Sequence, residues 1–381
     1  MDFSDTPEDE LFRQTLRDYA HKRLLPDYAR WRAEPFPRHR VVELGDLGVL
    51  GLRVPAEYGG SWGSHVALGI AAEELSRGDF NVSYFIQMAA VSAGLLALAD
   101  ATVAADWLPG VASGERLLAF GLTEPGVGSD AAALTTSGAF RGEEIVVSGE
   151  KASITFAGSA DACVVFARTG GPGPRGISMV LVPLDRPGVS RHVYASVGGH
   201  LSQRGSLFFD EVRVPASYQL GGEGEGFVHA MTAFDFNRAV IALACVGAAL
   251  QSLEETSDYA RERVTFGKSL AEHEGVAFQI AEHLSTVHAA RLVAYETLAR
   301  ADAGLSHTTE AAMAKWMGPQ WSAEAIHACL RLHGWSGYGE DLPFGQRLAD
   351  VVGLEIGDGT PEIMKAVIAR ETFGRALSAY R

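Results

Sequence analysis

Residues Leu122–Asp130 read Leu-Thr-Glu-Pro-Gly-Val-Gly-Ser-Asp and stand where the chain changes character. Upstream, apolar residues recur at helical spacing, whereas residues 118 to about 222 are rich in β-branched residues and turn signals. The stretch combines hydroxyl side chains with glycines, and hydroxyls on a rigid β-scaffold can orient a bound molecule. It therefore marks the beginning of a β-domain that holds a candidate binding loop.

The parts of the chain on both sides of this loop follow different periodicities. Glu8–Lys22 places apolar residues at helical spacing, and Val41–Leu50 and Val66–Ser76 repeat the pattern. Four runs in the β-block are predicted to be strands: Ile145–Val147, Cys163–Ala167, Ser178–Val182 and Ser206–Phe209. The sequence thus predicts helices first and a sheet second.

The glycine-rich segment Gly221–Gly226 ends the β-block. It lacks the Gly-Lys-Ser/Thr ending and the βαβ setting of a phosphate loop, so we interpret it as a flexible boundary. Long helices are predicted beyond it: Phe227–Arg263, Gly275–Ala303, Thr308–Leu332 and Pro361–Ser378. The prediction is an α+β protein with an N-terminal α-helical domain (1–119), a β-barrel-like middle domain (120–222) and a C-terminal four-helix bundle (223–381).

Composition limits the classes of function. The 381 residues are 47% hydrophobic and 21% charged, which is ample for a buried core. The formal net charge of −15, without a long basic run, argues against nucleic acid and anionic membranes as partners. The apolar run Ala239–Leu250 is too short to span a bilayer and is predicted to be a core helix.

Cysteine and histidine usage argues against a disulfide framework and against a metal site. The three cysteines show no CxxC spacing and are odd in number, and the histidines form no HExxH pattern. Such cysteine usage suits a reducing cytosol. The acidic N-terminus Met1–Asp5 lacks a signal-peptide pattern, so we expect a cytoplasmic protein without a metal.

Three further motifs follow the first one in order. They are Gly-Glu-Lys-Ala-Ser-Ile-Thr at Gly149–Thr155, Arg-Val-Thr-Phe-Gly at Arg263–Gly267 and Ile-Gly-Asp-Gly-Thr-Pro at Ile356–Pro361. Alone, Gly-Asp-Gly is a turn, because glycine permits positive φ and aspartate caps local backbone groups. Together, over essentially the full chain, the four motifs resemble those of the acyl-CoA dehydrogenase family of flavoenzymes. The resemblance implies that family's fold, FAD as cofactor and an acyl-CoA substrate.

The resemblance also assigns FAD contacts. Thr123, Ser129 and Thr155 match family positions that contact the flavin or its pyrophosphate, although each hydroxyl alone would more simply satisfy a turn. Arg263 and Phe266 match residues that reach the FAD of a neighbouring subunit, which implies a homotetramer. The full predicted set is Leu122, Thr123, Gly128, Ser129, Ser153, Thr155, Arg263, Phe266, Gly334, Gly337 and Thr360.

One position of the predicted flavin site departs from the family pattern. Ser153 stands where the family commonly has a tryptophan beside the flavin. The change affects the expected electron-transfer surface more than flavin binding, and an electron-transfer flavoprotein is the acceptor that the family implies.

The last motif supplies the predicted base. In the family, a base removes the α-proton of the thioester while hydride passes from the β-carbon to flavin N5, and Asp358 stands where that base is usually glutamate. The Ile-Gly-Asp-Gly-Thr variant resembles cyclohexane-1-carbonyl-CoA dehydrogenases, which implies a cyclic or α-branched acyl group. Gln87, Asp235, Arg238 and Gly359 are the predicted substrate contacts. Asp235 and Arg238 equally suit an ordinary i,i+3 ion pair.

Three alternatives stay open at the level of sequence. A nitroalkane-oxidase-like enzyme would share the fold and the aspartate base and would pass electrons to oxygen. A dehydrogenase of carrier-protein-bound acyl groups would keep the chemistry but change the partner. A non-catalytic relative is disfavoured by the intact Thr123, Ser129 and Thr155 and by the carboxylate at 358.

Overall fold

A computed structural model of the chain describes residues 6–28, 37–374 and 376. The N-terminal segment Met1–Asp5, on which the expected cytoplasmic location partly rests, lies outside the described residues. The chain divides into two compact units. The first unit contains the described residues of 1–33, 65–83 and 235–381, and the second contains those of 34–64 and 84–234. The predicted order of helices, then strands, then helices is confirmed.

The helices are α1 (Pro7–Tyr19), α2 (Arg38–Asp46), α3 (His65–Gly78), α4 (Val82–Leu96), α5 (Ala101–Ser113), α6 (Gly226–Glu262), α7 (Glu274–Asp302), α8 (Thr308–Leu332), α9 (Trp335–Tyr338), α10 (Phe344–Ile356) and α11 (Pro361–Phe373). The predicted bounds of α8 are confirmed, and those of α6 and α7 differ by one residue at each end. Helix α11 ends earlier than predicted because Gly374 takes a φ of 85°, and the predicted end at Ser378 lies outside the described residues.

The strands are β1 (Leu118–Gly121), β2 (Ser137–Arg141), β3 (Glu144–Ile154), β4 (Ala162–Arg168), β5 (Ile177–Pro183), β6 (Val189–Val193), β7 (Gly205–Pro215), β8 (Gln219–Leu220), β9 (Val264–Thr265) and β10 (Lys268–Ser269). The four predicted strands correspond to β3, β4, β5 and β7. Short or half-polar strands such as β2 and β6 were not predicted, because they lack a buried apolar run.

The first unit is built around α6. Its apolar centre packs closely: a Cβ added at Gly247 would lie 2.1 Å from the Glu73 carbonyl oxygen of α3, and one at Gly318 of α8 would lie 2.7 Å from Ala242 Cα. Helix α6 is long and apolar enough to cross a membrane, but 78% of its apolar window is buried inside the protein. The prediction of a core helix at Ala239–Leu250 is therefore confirmed.

The second unit contains an eight-stranded sheet in the order β6-β7-β3-β2-β4-β5-β8, with β1 paired in parallel to β4. Strands β4 and β5 are buried along nearly their whole length, which explains their continuous apolar sequences. Strand β3 contains two register shifts against β7, between Val147 and Gly149 and between Lys151 and Ile154. Such irregularities re-aim side chains, and Lys151 lies between them.

Candidate functional site

Asp358 lies in the turn between α10 and α11. Its φ of 57° is left-handed, a conformation that aspartate and asparagine adopt more readily than longer side chains. The next residue, Gly359, has a φ of 107°, and a Cβ there would lie 2.5 Å from Met364 Cε. Thr360 then caps α11, and its hydroxyl accepts a hydrogen bond from the Ile363 amide. The turn conformation therefore explains an aspartate followed by glycine.

Residues near the start of α6 hold this turn from one side. Asn237 Nδ2 donates to Asp358 Oδ2 at 2.8 Å, and Arg238 Nε donates to the Asp358 carbonyl oxygen at 3.4 Å. Arg238 also forms an ion pair with Asp235 at 3.1 Å, whose other oxygen accepts from the Thr308 hydroxyl at 2.7 Å. The ion-pair interpretation of Asp235 and Arg238 is thus confirmed, and their contact with substrate stays a prediction.

Lys315 of α8 holds the turn from another side. Its Nζ donates to the Gly359 carbonyl oxygen at 2.7 Å and to the Glu355 carbonyl oxygen at 3.4 Å. The side chain is fully buried, and burial lowers the pKa of Lys315 to about 8 although the charge of Asp358 opposes the shift. The sequence analysis does not identify Asn237 or Lys315, because both are remote from Asp358 along the chain, although Asn237 lies between the predicted contacts Asp235 and Arg238.

The predicted flavin segments meet in the second unit. The Ala152 amide donates to the Thr123 carbonyl oxygen at 2.9 Å, so the loop that begins with Leu122 lies beside the end of β3. Beneath it, Lys151 Nζ donates to Glu124 Oε1 at 2.8 Å and to the Leu122 carbonyl oxygen at 3.1 Å. The structure therefore brings Leu122, Thr123, Ser153 and Thr155 into neighbouring segments of one sheet.

The carboxylate of Glu124 accepts several of the hydrogen bonds that hold this loop. Its two oxygens accept the backbone amides of Thr135 and Thr136, each at 2.8 Å, as well as the Lys151 ammonium. Burial alone would raise the pKa of Glu124, but these hydrogen bonds outweigh it and lower the pKa to about 2. Burial in turn lowers the pKa of Lys151, and the Glu124 charge partly offsets this. The pair fixes the loop and has no proton-transfer role at neutral pH.

The donor set around this loop fits a polar, ring-bearing ligand. Among the described residues, the hydroxyls of Thr123, Ser129 and Thr155 have no hydrogen-bond partner. A Cβ at Gly128 would meet nothing within 4 Å, so the space around the loop is open. Ser153 is exposed with a φ of 57°, and its amide lies 3.5 Å from the Tyr194 hydroxyl. These groups fit the polar edge of a flavin.

The remaining predicted contacts lie on separate elements. Arg263 is exposed and Phe266 is 99% exposed, both just beyond α6 in the first unit. Gly334 has a φ of 64°, and a Cβ at Gly337 would lie 2.1 Å from the Leu330 carbonyl oxygen, so backbone geometry requires both glycines. Gln87 is buried on α4. The roles of these residues stay predictions. No cluster of potential metal ligands occurs among the described residues.

Comparison with known proteins identifies sequence and structural relatives along the whole chain. Three family models match the chain: the acyl-CoA dehydrogenase N-terminal domain over residues 6–115, the middle domain over 119–212 and the C-terminal domain over 224–373. A short-chain specific acyl-CoA dehydrogenase of Clostridium acetobutylicum is 33% identical, with 98% of this chain and 100% of the relative covered.

Solved structures of other proteins have the same fold as this chain. Butyryl-CoA dehydrogenase from Megasphaera elsdenii superimposes with a TM-score of 0.94 at 28% identity, covering 98% of this chain and 100% of that one. A chain from a structure named for the electron transferring flavoprotein of Acidaminococcus fermentans has a TM-score of 0.94 at 29% identity, with 98% and 99% covered. The predicted helical, sheet and helical arrangement is therefore confirmed at the level of fold.

Proposed function

The chain belongs to the acyl-CoA dehydrogenase family, and on that premise we propose that it dehydrogenates a cyclic or α-branched acyl-CoA of the cyclohexane-1-carbonyl-CoA kind, with Asp358 as base. The protein is an FAD-dependent oxidoreductase that acts on CH–CH groups. The observation that supports Asp358 is its place in a turn that Asn237, Arg238 and Lys315 hold from two sides.

FAD, when bound, supplies the redox chemistry by taking up two electrons with the β-hydrogen. The chain supplies the rest. The hydroxyls of Thr123, Ser129 and Thr155 would orient the flavin and its phosphates. Asp358 would take the α-proton onto a carboxyl oxygen, while its backbone amide and neighbouring donors stabilise charge on the thioester oxygen.

The aspartate supports the substrate class. It is one methylene shorter than glutamate, so its carboxylate reaches roughly 1.5 Å less far. A misplacement of about 1 Å can lower a rate by about a hundredfold. A substrate whose α-carbon belongs to a ring or bears a branch would place the α-proton differently from a straight chain, which accounts for the shorter base.

Partners and location complete the proposal. Val264, Phe266 and Trp335 leave large apolar surfaces exposed on the first unit, which supports a homotetramer whose neighbouring subunits receive Arg263 and Phe266. An electron-transfer flavoprotein is the proposed acceptor, in line with the Acidaminococcus fermentans structure to which the chain is similar. Three free, buried cysteines support a cytoplasmic location.

The test is anaerobic mixing of the FAD-loaded enzyme with CoA thioesters while flavin bleaching is followed. Cyclohexane-1-carbonyl-CoA should bleach the flavin faster than butyryl-CoA or octanoyl-CoA, and Asp358→Asn should lower the rate by at least ~10²–10⁴-fold while FAD stays bound. Asparagine suits the left-handed turn, so this variant removes the base without removing the turn. Glu362→Gln, on the exposed start of α11, is the matched control.

Each outcome tests a separate statement. Faster bleaching by the straight-chain thioesters would overturn the substrate class and leave the reaction intact. Undiminished bleaching in Asp358→Asn would remove Asp358 as the base. Rapid reoxidation of the reduced enzyme by air would instead favour an oxidase.

A further inference from the structure

The carboxylate of Asp358 has one side-chain partner among the described residues, and that partner is an amide. Asn237 is 1% exposed, and its Nδ2 lies 2.8 Å from Asp358 Oδ2. Its Oδ1 is buried and has no hydrogen-bond partner in the described part of the chain. A buried acceptor without a partner is unfavourable, so its retention beside the base calls for an explanation.

We propose that Asn237 is a positioning residue for Asp358, whose carboxamide serves the carboxylate before α-proton removal and the carboxylic acid after it. This inference rests on the proposed function, because it requires Asp358 to be the base. Asn237 acts through Asp358 alone.

An amide has both a donor and an acceptor, and the two states of the base need both. Before the reaction, the carboxylate only accepts hydrogen bonds, and Nδ2 supplies a donor. During proton removal, the α-carbon–hydrogen bond breaks, its electron pair stays with the acyl group and its proton moves to a carboxyl oxygen. The resulting O–H is a donor, and the carboxamide of Asn237 also carries an acceptor, Oδ1, which has no partner among the described residues.

The surrounding charges leave this role to the amide. Arg238 on α6 donates to the Asp358 carbonyl oxygen and is paired with Asp235. Lys315 on α8 donates to two carbonyl oxygens. Glu355 on α10 and Arg370 on α11 contribute more remote charge.

Within the described residues, no ion pair joins Asp358 to a cation, because Arg238 pairs with Asp235 and Lys315 donates to carbonyl oxygens. A direct ion pair would hold the carboxylate but would also weaken it as a base. A neutral amide orients the group without that effect.

The experiment isolates the proton-removal step. In 1,3-dithiane-2-carbonyl-CoA, a ring thioester of the proposed class, sulfur replaces both β-carbons, so no β-hydrogen can leave and only the α-proton can be lost. The rate of deuterium uptake at the α-carbon in D₂O is measured from pH 5 to 9 for the FAD-loaded wild type, Asp358→Asn, Asn237→Leu and Asn237→Asp. FAD content and melting temperature are recorded for each.

Asn237→Leu keeps the size of the side chain and removes both functions. We expect exchange about 10- to 100-fold slower, because the carboxylate loses its orientation. The acid limb of the pH–rate profile should move up by about one pH unit, because a hydrogen bond to a charged group is lost. Asn237→Asp should move that limb further, because two adjacent carboxylates share one site.

The matched control is Asn81→Leu. Asn81 is a buried asparagine of the same unit whose amide donates to Asp79 and Asp350 instead of Asp358. Its loss should lower the melting temperature without moving the acid limb. A purely structural role for Asn237 would make the two leucine variants alike.

The outcomes separate this inference from the proposed function. If exchange depends on Asp358 but Asn237→Leu keeps the wild-type rate and acid limb, the inference is wrong and the proposed function stands. If the wild type exchanges no faster than Asp358→Asn, the proposed function fails first. If Asn237→Leu loses FAD, the test relies on Asn237→Asp, which keeps the native shape of the side chain. A wild-type exchange rate and acid limb in Asn237→Asp would overturn the inference.

Discussion

Two fully buried lysines, Lys151 in the second unit and Lys315 in the first, hold the two loops on which the proposed chemistry depends. Lys151 meets a full carboxylate, Glu124, at 2.8 Å. Among the described residues, Lys315 donates hydrogen bonds only to carbonyl oxygens, although Asp358 lies in the turn that it holds. The same buried amine therefore has an ionic partner in one unit and dipolar partners in the other.

The difference separates a structural carboxylate, Glu124, from the proposed base, Asp358. Glu124 accepts hydrogen bonds from a lysine, two backbone amides and the Thr135 hydroxyl, and its pKa falls to about 2, so it cannot take a proton at neutral pH. Asp358 is held through its backbone and by a neutral amide. A base must keep an available lone pair, and only the second arrangement leaves one. Three predictions test this contrast.

The largest effect is expected for Lys151→Met. It leaves Glu124 buried without its cation, and breaking a buried ion pair in this way typically destabilises a protein by about 3–5 kcal/mol. Because the pair supports the loop at Leu122 and Thr123, FAD should be lost as well. Urea unfolding and flavin fluorescence after gel filtration measure the two effects.

Two further variants test whether the effect of Lys151→Met comes from the unpaired charge of Glu124. Lys151→Met combined with Glu124→Gln should recover part of the stability, since no buried charge is then left unpaired. Lys22→Met, which breaks an exposed i,i+4 pair with Asp18, should leave the unfolding midpoint unchanged. Retention of FAD and stability in Lys151→Met would contradict the structural role of the pair.

A smaller and different effect is expected for Lys315→Met. The Gly359 carbonyl loses its donor, the turn of Asp358 loosens and flavin reduction should slow by up to about a hundredfold. FAD should stay bound, in contrast to Lys151→Met. Stopped-flow bleaching and FAD content provide the comparison, with Lys365→Met, an exposed lysine over the Trp316 ring, as control. Loss of FAD without loss of rate per bound flavin would contradict the contrast.

The smallest effect concerns pH. Burial lowers the pKa of Lys315 to about 8 in the folded state, from an ordinary value of 10.5. Between these values the unfolded state binds more protons than the folded state, so Lys315 makes the free energy of unfolding rise with pH from about 8 to 10.5. The penalty is fully present below pH 8. Lys315→Met should flatten this rise in urea unfolding at pH 7.5–10.5, and an unchanged slope would refute it.

Much of the fold could be predicted from the sequence, because the elements with the most buried side chains also have the clearest apolar periodicity. Strand β4 and helix α6 have continuous or long periodic apolar runs, and both were predicted to within about a residue or two. Strands β2 and β6 have mostly exposed residues and were not predicted, because their apolar signal is weak. The predicted domain boundaries and the roles of the site residues stay predictions.

What the sequence determined by itself was the family and the position of the candidate base, because four motifs of local backbone and side-chain chemistry occur in order along the chain. What only the tertiary structure decided was which groups surround that base. Asn237 is 121 residues from Asp358 along the chain, and Lys315 is 44 residues from its partner Gly359. No local sequence pattern connects residues at such separations. Helices α6 and α8 bring them there because their apolar faces pack in the core of the first unit, and that packing depends on the whole chain.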